Sequence, residues 1–205
     1  MAGLEHDLST YYDQEASDRA LRPLGSHRLE RRRAFIELVR SEGRASVLEI
    51  GVGPGHDAAA FAESGVAPVG VDLSIEHARL ARANGVVSVR ASVLALPFPA
   101  HRFDSGWTMS TLLHVPDADF DQAMAELIRV LRPGAPLAIG LWGGFDGEGT
   151  SGFDHIDPPR FFSHRSHERA RAMLARQGEI EQFDTWPDDR SSWEYQFVVL
   201  RVGAR

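Results

Sequence analysis

The stretch Val47-Leu48-Glu49-Ile50-Gly51-Val52-Gly53-Pro54-Gly55 decides how this chain is read. A short apolar run with strand preference enters a glycine turn, and residues 57–64 then read as a helix. Glycine lets a backbone turn tightly and approach a ligand closely, and the helix start that follows favours negative charge. The third glycine stands at 55, whereas the dinucleotide spacing G-x-G-x-x-G requires it at 56, which is His56. Glu49 lies just ahead of the glycines, a poor place to meet a pyrophosphate and a good one to meet an ammonium group.

Outward from this turn, strand-like and helix-like segments alternate. Strands are expected at 45–50, 68–72, 86–91, 103–108 and 136–142, with a helix at 75–84 closed by Gly85. The helix beginning at Asp117 is the clearest. Phe120, Met124, Leu127, Ile128 and Leu131 share one face of a 3.6-residue period, and Pro133-Gly134 stops it. A further helix from about Ser166 carries Ala170, Met173 and Leu174 inward and ends at Gly178. Two final strands, 180–186 and 193–202, follow with no helix between them. This pattern predicts an α/β fold with a mostly parallel sheet covered on both faces and an antiparallel hairpin at its end.

At the other end, residues 1–25 read as a polar segment with the aromatic pair Tyr11 and Tyr12, and 26–44 as an Arg-rich, partly buried helix. Residues 143–164 hold five glycines, four phenylalanines and Pro158-Pro159. A structureless loop that long is uncommon in a compact domain and is usually a lid or a binding loop. The whole of 1–205 is expected to be a single domain, with 1–44 as a cap segment and helix and 143–164 as its lid.

Composition narrows the function. Acidic residues number 29 against 22 basic, all arginine, for a net charge of −7; that disfavours a nucleic-acid partner, whose affinity comes from a positive field. The chain has no cysteine, which excludes a disulfide scaffold, a thiol nucleophile and thiolate-held zinc or iron–sulfur clusters. No apolar run approaches the ~18 residues needed to cross a bilayer, and Glu5 and Asp7 do not suit a signal peptide. A cytoplasmic protein without a membrane partner is expected. No His and carboxylate cluster has metal-ligand spacing, so no metal is expected.

Twenty-one residues after Gly51, Val69-Gly70-Val71-Asp72 ends a strand on a carboxylate, which can accept hydrogen bonds from both hydroxyls of a ribose. The implied ligand has a ribose, a positive group and no diphosphate; S-adenosylmethionine fits. The chain resembles the class I S-adenosylmethionine-dependent methyltransferases of the small, uninserted type. Residues 47–55 resemble the family's first motif and 69–74 its acidic loop. Residues 91–98 with Phe103-Asp104 resemble G-D-A-x-x-L-P-F…F-D, Leu112-Leu113-His114-Val115-Pro116-Asp117 resembles L-H-H-V-P-D, and Leu131-Arg132-Pro133-Gly134 resembles L-K-P-G-G. The resemblance implies a Rossmann-like three-layer sandwich, a seven-stranded sheet with its last strand antiparallel, and methyl transfer that releases S-adenosylhomocysteine.

It also implies roles. Gly51, Gly53 and Gly55 would cradle the cofactor, Glu49 orient the glycine loop and the methionine ammonium, Asp72 with Leu73 bind the ribose, and Ser92 with Val93 bind the adenine. Ser92 stands where the family usually has Asp. Thr108 and Met109 would add a backbone carbonyl and apolar cover, and Arg33 would hold the methionine carboxylate, with Arg28, Arg31 and Arg32 adjacent. His114 is the catalytic candidate, as a base near neutrality or as a structural residue of its motif. Tyr11, Tyr12, Trp142, Phe145, His155 and Arg160 are substrate-side candidates by position, with a small-molecule methyl acceptor as the partner. A nicotinamide-type oxidoreductase and a cofactor-binding module without turnover stand as alternatives.

Overall fold

The computed structural model describes residues 2–188 and 191–203. Helix α1 (Ala2–Ala20) and helix α2 (Ser26–Ser41) precede the alternating part. That part runs β1 (Ser46–Ile50), α3 (His56–Glu63), β2 (Ala67–Asp72), α4 (Ile75–Ala83), β3 (Val87–Arg90) and β4 (Ser105–Met109). A single 3-10 turn (Leu112–His114) leads to α5 (Asp117–Val130) and β5 (Pro136–Gly143). Then follow β6 (Gly147–Thr150), β7 (Phe161–His164), α6 (His167–Ala175), β8 (Gly178–Pro187) and β9 (Glu194–Val202).

Seven strands form one sheet in the order β3-β2-β1-β4-β5-β9-β8. The first five are parallel, and β9, the last strand of the chain, runs antiparallel between β5 and β8. The fold is therefore the Rossmann-like three-layer sandwich that the alternation and the family resemblance predict. Consecutive strand residues serve opposite cores, as a period of two demands. Val47, Ala138 and Val199 pack with Phe35, Val39 and Phe61 of α2 and α3. Leu48, Leu137 and Val198 pack with Phe120, Met124 and Leu127 of α5 and Met173 and Leu174 of α6.

The structure departs from expectation in two places. Residues 2–20 are helical, because Leu8, Tyr11 and Ala16 recur at helical spacing and are buried. Residues 143–164 are not an unstructured loop: β6 and β7 pair as a two-stranded antiparallel ribbon. Asp154 stiffens the turn of this ribbon by binding both the backbone and the guanidinium of Arg160.

β1 lies between β2 and β4, so the connections on its two sides leave in opposite directions. Open α/β sheets bind ligands at such a switch point, beyond the carboxyl ends of the strands.

Candidate functional site

A cavity of about 590 Å³ runs along that carboxyl edge. In spatial order its floor is Ala91–Leu94 after β3, Val71–Leu73 at the end of β2 and Ile50–Pro54 after β1. It continues over Met109–Thr111 after β4 to Trp142 of β5, Tyr195 of β9 and Trp186 of β8. Glu5, Leu8, Tyr12 and Arg19, at i, i+3, i+7 and i+14 of α1, form one helical face that walls it from the side.

The glycine loop is shaped by sterics. Gly51 has φ +74°, and a Cβ there would meet Thr111 Oγ1 at 1.9 Å. Gly53 has φ +53°, yet a Cβ there would meet no protein atom within 4 Å. It lines the cavity, so a side chain at 53 would project into the ligand space. Gly55, at φ +92°, packs instead against Ala81 and Val86 and sets the start of α3 on α4.

Asp72 is buried with both carboxylate oxygens directed. Oδ2 accepts the Gly53 N–H at 2.8 Å and Oδ1 the Ser74 N–H at 2.9 Å. A carboxylate has about four acceptor positions, so one on each oxygen is left for ligand hydroxyls. His77, which also lines the cavity, has its Nδ1 3.5 Å from Oδ2.

Glu49 is 1% exposed and lies beneath the loop, outside the cavity lining. Burial, reinforced by the nearby Asp57 charge, pushes its carboxyl well above the ordinary range, and its Oε2 has no hydrogen-bond partner. Asp57 itself binds Arg28 (Nη2–Oδ2 2.6 Å), Arg32 (Nη1–Oδ1 2.9 Å) and the Trp107 indole N–H (2.9 Å). Burial alone would raise the Asp57 carboxyl; the two arginines and the indole outweigh it and hold the group below its ordinary value.

At the far side of the cavity the Tyr12 hydroxyl lies 2.6 Å from His114 Nε2, and His114 Nδ1 lies 2.6 Å from the Phe161 carbonyl oxygen. A carbonyl can only accept, so Nδ1 carries the proton and Nε2 accepts the Tyr12 O–H. Desolvation pushes the His114 pKa down to about 3, the bond to Phe161 offsetting only part of that. The imidazole is neutral at physiological pH. Burial likewise raises the Tyr12 hydroxyl above its ordinary range.

The cavity thus brings together Gly51, Gly53, Asp72, Leu73, Ser92, Val93, Met109, His114, Tyr12 and Trp142. Other expected residues lie outside its lining. Thr108 is buried behind Met109 with its hydroxyl unpartnered. Tyr11 is buried under Arg160, whose guanidinium carbon lies 4.6 Å from its ring centre. Arg160 is taken up by Asp154, Phe145 packs on His164, and His155 is exposed on the ribbon.

Arg33 requires correction. Arg28 and Arg32, one turn apart, face Asp57 and Arg31 faces Asp184, which turns Arg33 away into an outer groove beside Ile36 and Ser64. Arg28 is the arginine of this run that lines the cavity.

Sequence reasoning also missed Glu5, Asp57, Thr111 and Tyr195. The i, i+4 pair Arg28/Arg32 signals a shared acidic partner, and Leu8 and Tyr12 signal the inner face of α1. Asp57 and Tyr195 carry no local signal.

Residues 47–134 match a family model described as a methyltransferase domain. An uncharacterized methyltransferase of Mycobacterium marinum is 39% identical over 116 residues, which cover 54% of this chain and 45% of that protein. A malonyl-acyl-carrier-protein O-methyltransferase of Pseudescherichia vulneris is 35% identical over 129 residues, covering 60% of this chain and 51% of the relative. The chain spans about half the length of the curated relatives it matches. Among solved structures, 1,6-didemethyltoxoflavin-N1-methyltransferase of Burkholderia thailandensis, with bound 1,6-didemethyltoxoflavin and S-adenosylhomocysteine, aligns with a TM-score of 0.72 at 24% identity. The alignment covers 98% of this chain and 88% of that one, a likeness of fold.

Proposed function

We infer that this chain is a class I S-adenosylmethionine-dependent methyltransferase that moves a methyl group to an oxygen, nitrogen or carbon nucleophile of a small molecule. The observation that carries the reading is Asp72. It is a buried carboxylate fixed by the N–H groups of Gly53 and Ser74, with acceptor positions left beside the glycine loop. That is the arrangement a ribose diol needs. His56 at the third-glycine position of the dinucleotide pattern weighs against the oxidoreductase alternative.

The residues present fit S-adenosylmethionine, which when bound supplies a methyl group on a positively charged sulfur. Gly51 and Gly53 give the close backbone approach, and Asp72 and Leu73 seat the ribose. Ser92 and Val93 flank the base. Arg28, partly exposed beside the loop, is the arginine for the amino-acid carboxylate. The buried Glu49, with its orphaned Oε2, lies beneath the loop, and burial disfavours its charge. Its unpaired oxygen offers an acceptor for the methionine ammonium only if a bound cation draws the carboxyl back toward the ionised form. Met109 covers the centre of the cavity, and Tyr12, Trp142 and Tyr195 wall the acceptor end.

His114 in this reading is a positioning residue, not a base. Its proton sits on Nδ1, its free lone pair is committed to Tyr12, and a pKa of about 3 makes it a poor proton store at neutral pH. Alignment can supply the acceleration instead: effective molarities of well-oriented reactions correspond to about 7–11 kcal/mol. Exclusion of water by α1 serves the same end. Among the described residues no helix is long and apolar enough to cross a membrane.

The test is thermal unfolding with S-adenosylhomocysteine and with NAD. At about 100 times its dissociation constant the former adds roughly 2.7 kcal/mol, a rise of roughly 5–11 °C for a chain of this size. A rise with NAD and none with millimolar S-adenosylhomocysteine overturns the reading. Binding without methyl transfer to any acceptor in a broad screen would favour the module without turnover.

A further inference from the structure

The base end of the cavity holds a charged acceptor that comes from a distant part of the chain. Ser92, on the segment following β3, accepts the Leu94 N–H at 3.0 Å and donates its own proton to Glu5 Oε1 of α1. A hydroxyl has one proton, so Ser92 spends it on Glu5, and the strongest acceptor at this point is the Glu5 carboxylate. Ser92 occupies one of its roughly four acceptor positions. Glu5 lines the cavity, as do Leu8, Val93 and Leu94, which offer apolar faces on either side of it.

The sheet order fixes what reaches this spot. β2 has β1 on one side and β3 on the other, and the Asp72 carbonyl accepts the Ala91 N–H at 3.0 Å. The glycine loop therefore lies on one flank of Asp72 and Ser92–Glu5 on the other. A nucleoside whose ribose sits on Asp72, with its 5′ substituent along the glycine loop, sends its base toward Glu5. A carboxylate accepts and does not donate, so it recognises a base edge that presents an amine and repels one that presents an oxo group.

We propose that Glu5 reads the exocyclic amine of the cofactor's base, with Ser92 holding the carboxylate in place, so that base recognition is completed by helix α1. The assignment rests on the cofactor reading given above and adds a consequence to it. α1 is pinned to the same site by Ser9 Oγ on the Leu73 carbonyl (3.3 Å), by Asp13 Oδ1 on Ser74 Oγ (2.5 Å) and by Tyr12 on His114 (2.6 Å). Seating the base and seating the helix that walls the acceptor end are then one event.

Calorimetric titration of the full chain with S-adenosylhomocysteine and with its 6-oxo counterpart, S-inosylhomocysteine, tests this directly. The natural sequence should prefer the amino ligand by at least about tenfold, since hydrogen bonds to charged groups are among the stronger ones. Glu5→Gln should reduce the preference to within about threefold or reverse it, because a carboxamide can also donate to an oxo group. Ser92→Ala, which frees Glu5 without removing it, should retain the sign of the preference at reduced size. If Glu5→Gln binds both ligands with the original preference, the assignment to Glu5 is overturned while the cofactor reading stands. If the natural sequence binds neither ligand, the cofactor reading fails and takes this assignment with it.

Discussion

His114 shows how a residue's partners override its reputation. Its place in the L-L-H-V-P-D stretch and its ordinary pKa make it a candidate base, but the Phe161 carbonyl and the Tyr12 hydroxyl fix its tautomer and burial removes its charge. The consequence is measurable without any substrate. The folded state keeps His114 neutral down to about pH 3, whereas an unfolded histidine binds a proton below about pH 6.5. Between those values the unfolded state holds more protons, so stability falls as pH falls, and above about pH 6.5 the contribution is complete. From pH 7 to pH 5 the cost is roughly 2 kcal/mol. Urea unfolding at both pH values should show the natural chain losing about that much more than His114→Gln, in which position 114 does not titrate. Equal losses would mean that His114 titrates in the folded protein. The residue types at the site were legible wherever a motif fixed them, as at Asp72 and Gly53. Their engagement was not, because the bond from Tyr12 to His114 spans 102 positions.

Among elements, the strands and the amphipathic α5 were legible because one hydrophobic period runs through each of them. β1 begins one residue later than expected and α4 ends one earlier, at Gly85's threshold. α1 was not legible as a helix, since its buried Leu8, Tyr11 and Ala16 are separated by acids and by Ser9, Thr10 and Gln14, which read as a polar segment. The ribbon β6/β7 escaped because Gly147 and Gly149 are poor strand formers, and its pairing with Phe161–His164 is set across a turn too long to have a turn signature. In this structure α1 walls the cavity, and the ribbon is tied to that wall through the Gln14 amide on the Asp157 carbonyl and the Phe161 carbonyl on His114. Asp13 is the fastener between α1 and α4: its Oδ1 accepts from Ser74 Oγ and from the Glu76 N–H at 3.2 Å, inside the first turn of α4. Asp13→Ala removes what amounts to a second cap and should cost about 1 kcal/mol. Hydrogen exchange in α1 should accelerate several-fold more than in β1 and β4, because a local opening is made easier than the global one. Exchange that accelerates equally in all three would make α1 part of the cooperative core and remove its role as a separately seated wall.

At the scale of the molecule, motif order makes the sheet legible, because each motif sits at a strand end and the connections between parallel strands have a fixed hand. The way the two halves of the site are tied together was not readable. The run of arginines at 28, 31, 32 and 33 looks like a solvated basic face, yet two of the four converge on Asp57 from 29 and 25 positions away, and Trp107 joins from 50. This cluster links α2, α3 and β4 beneath the glycine loop, and it fixes the electrostatics that Arg28 and Glu49 present to the loop. Asp57 is fully buried while Arg28 and Arg32 keep 28% and 18% of their side chains exposed, so its removal strands the cations only in part. Breaking a buried pair costs about 3–5 kcal/mol, and the exposure of the arginines places this case near the lower end. Asp57→Ala should therefore lower the melting temperature by roughly 6–12 °C. The loss should exceed that of Trp107→Phe, which removes one hydrogen bond and keeps most of the ring packing among Phe35, Phe61 and Phe197. Calorimetric melting of the two variants decides between an electrostatic and an aromatic centre for this junction. A larger fall for Trp107→Phe than for Asp57→Ala would show that ring packing holds α2 and α3 to the sheet and that the arginines merely follow.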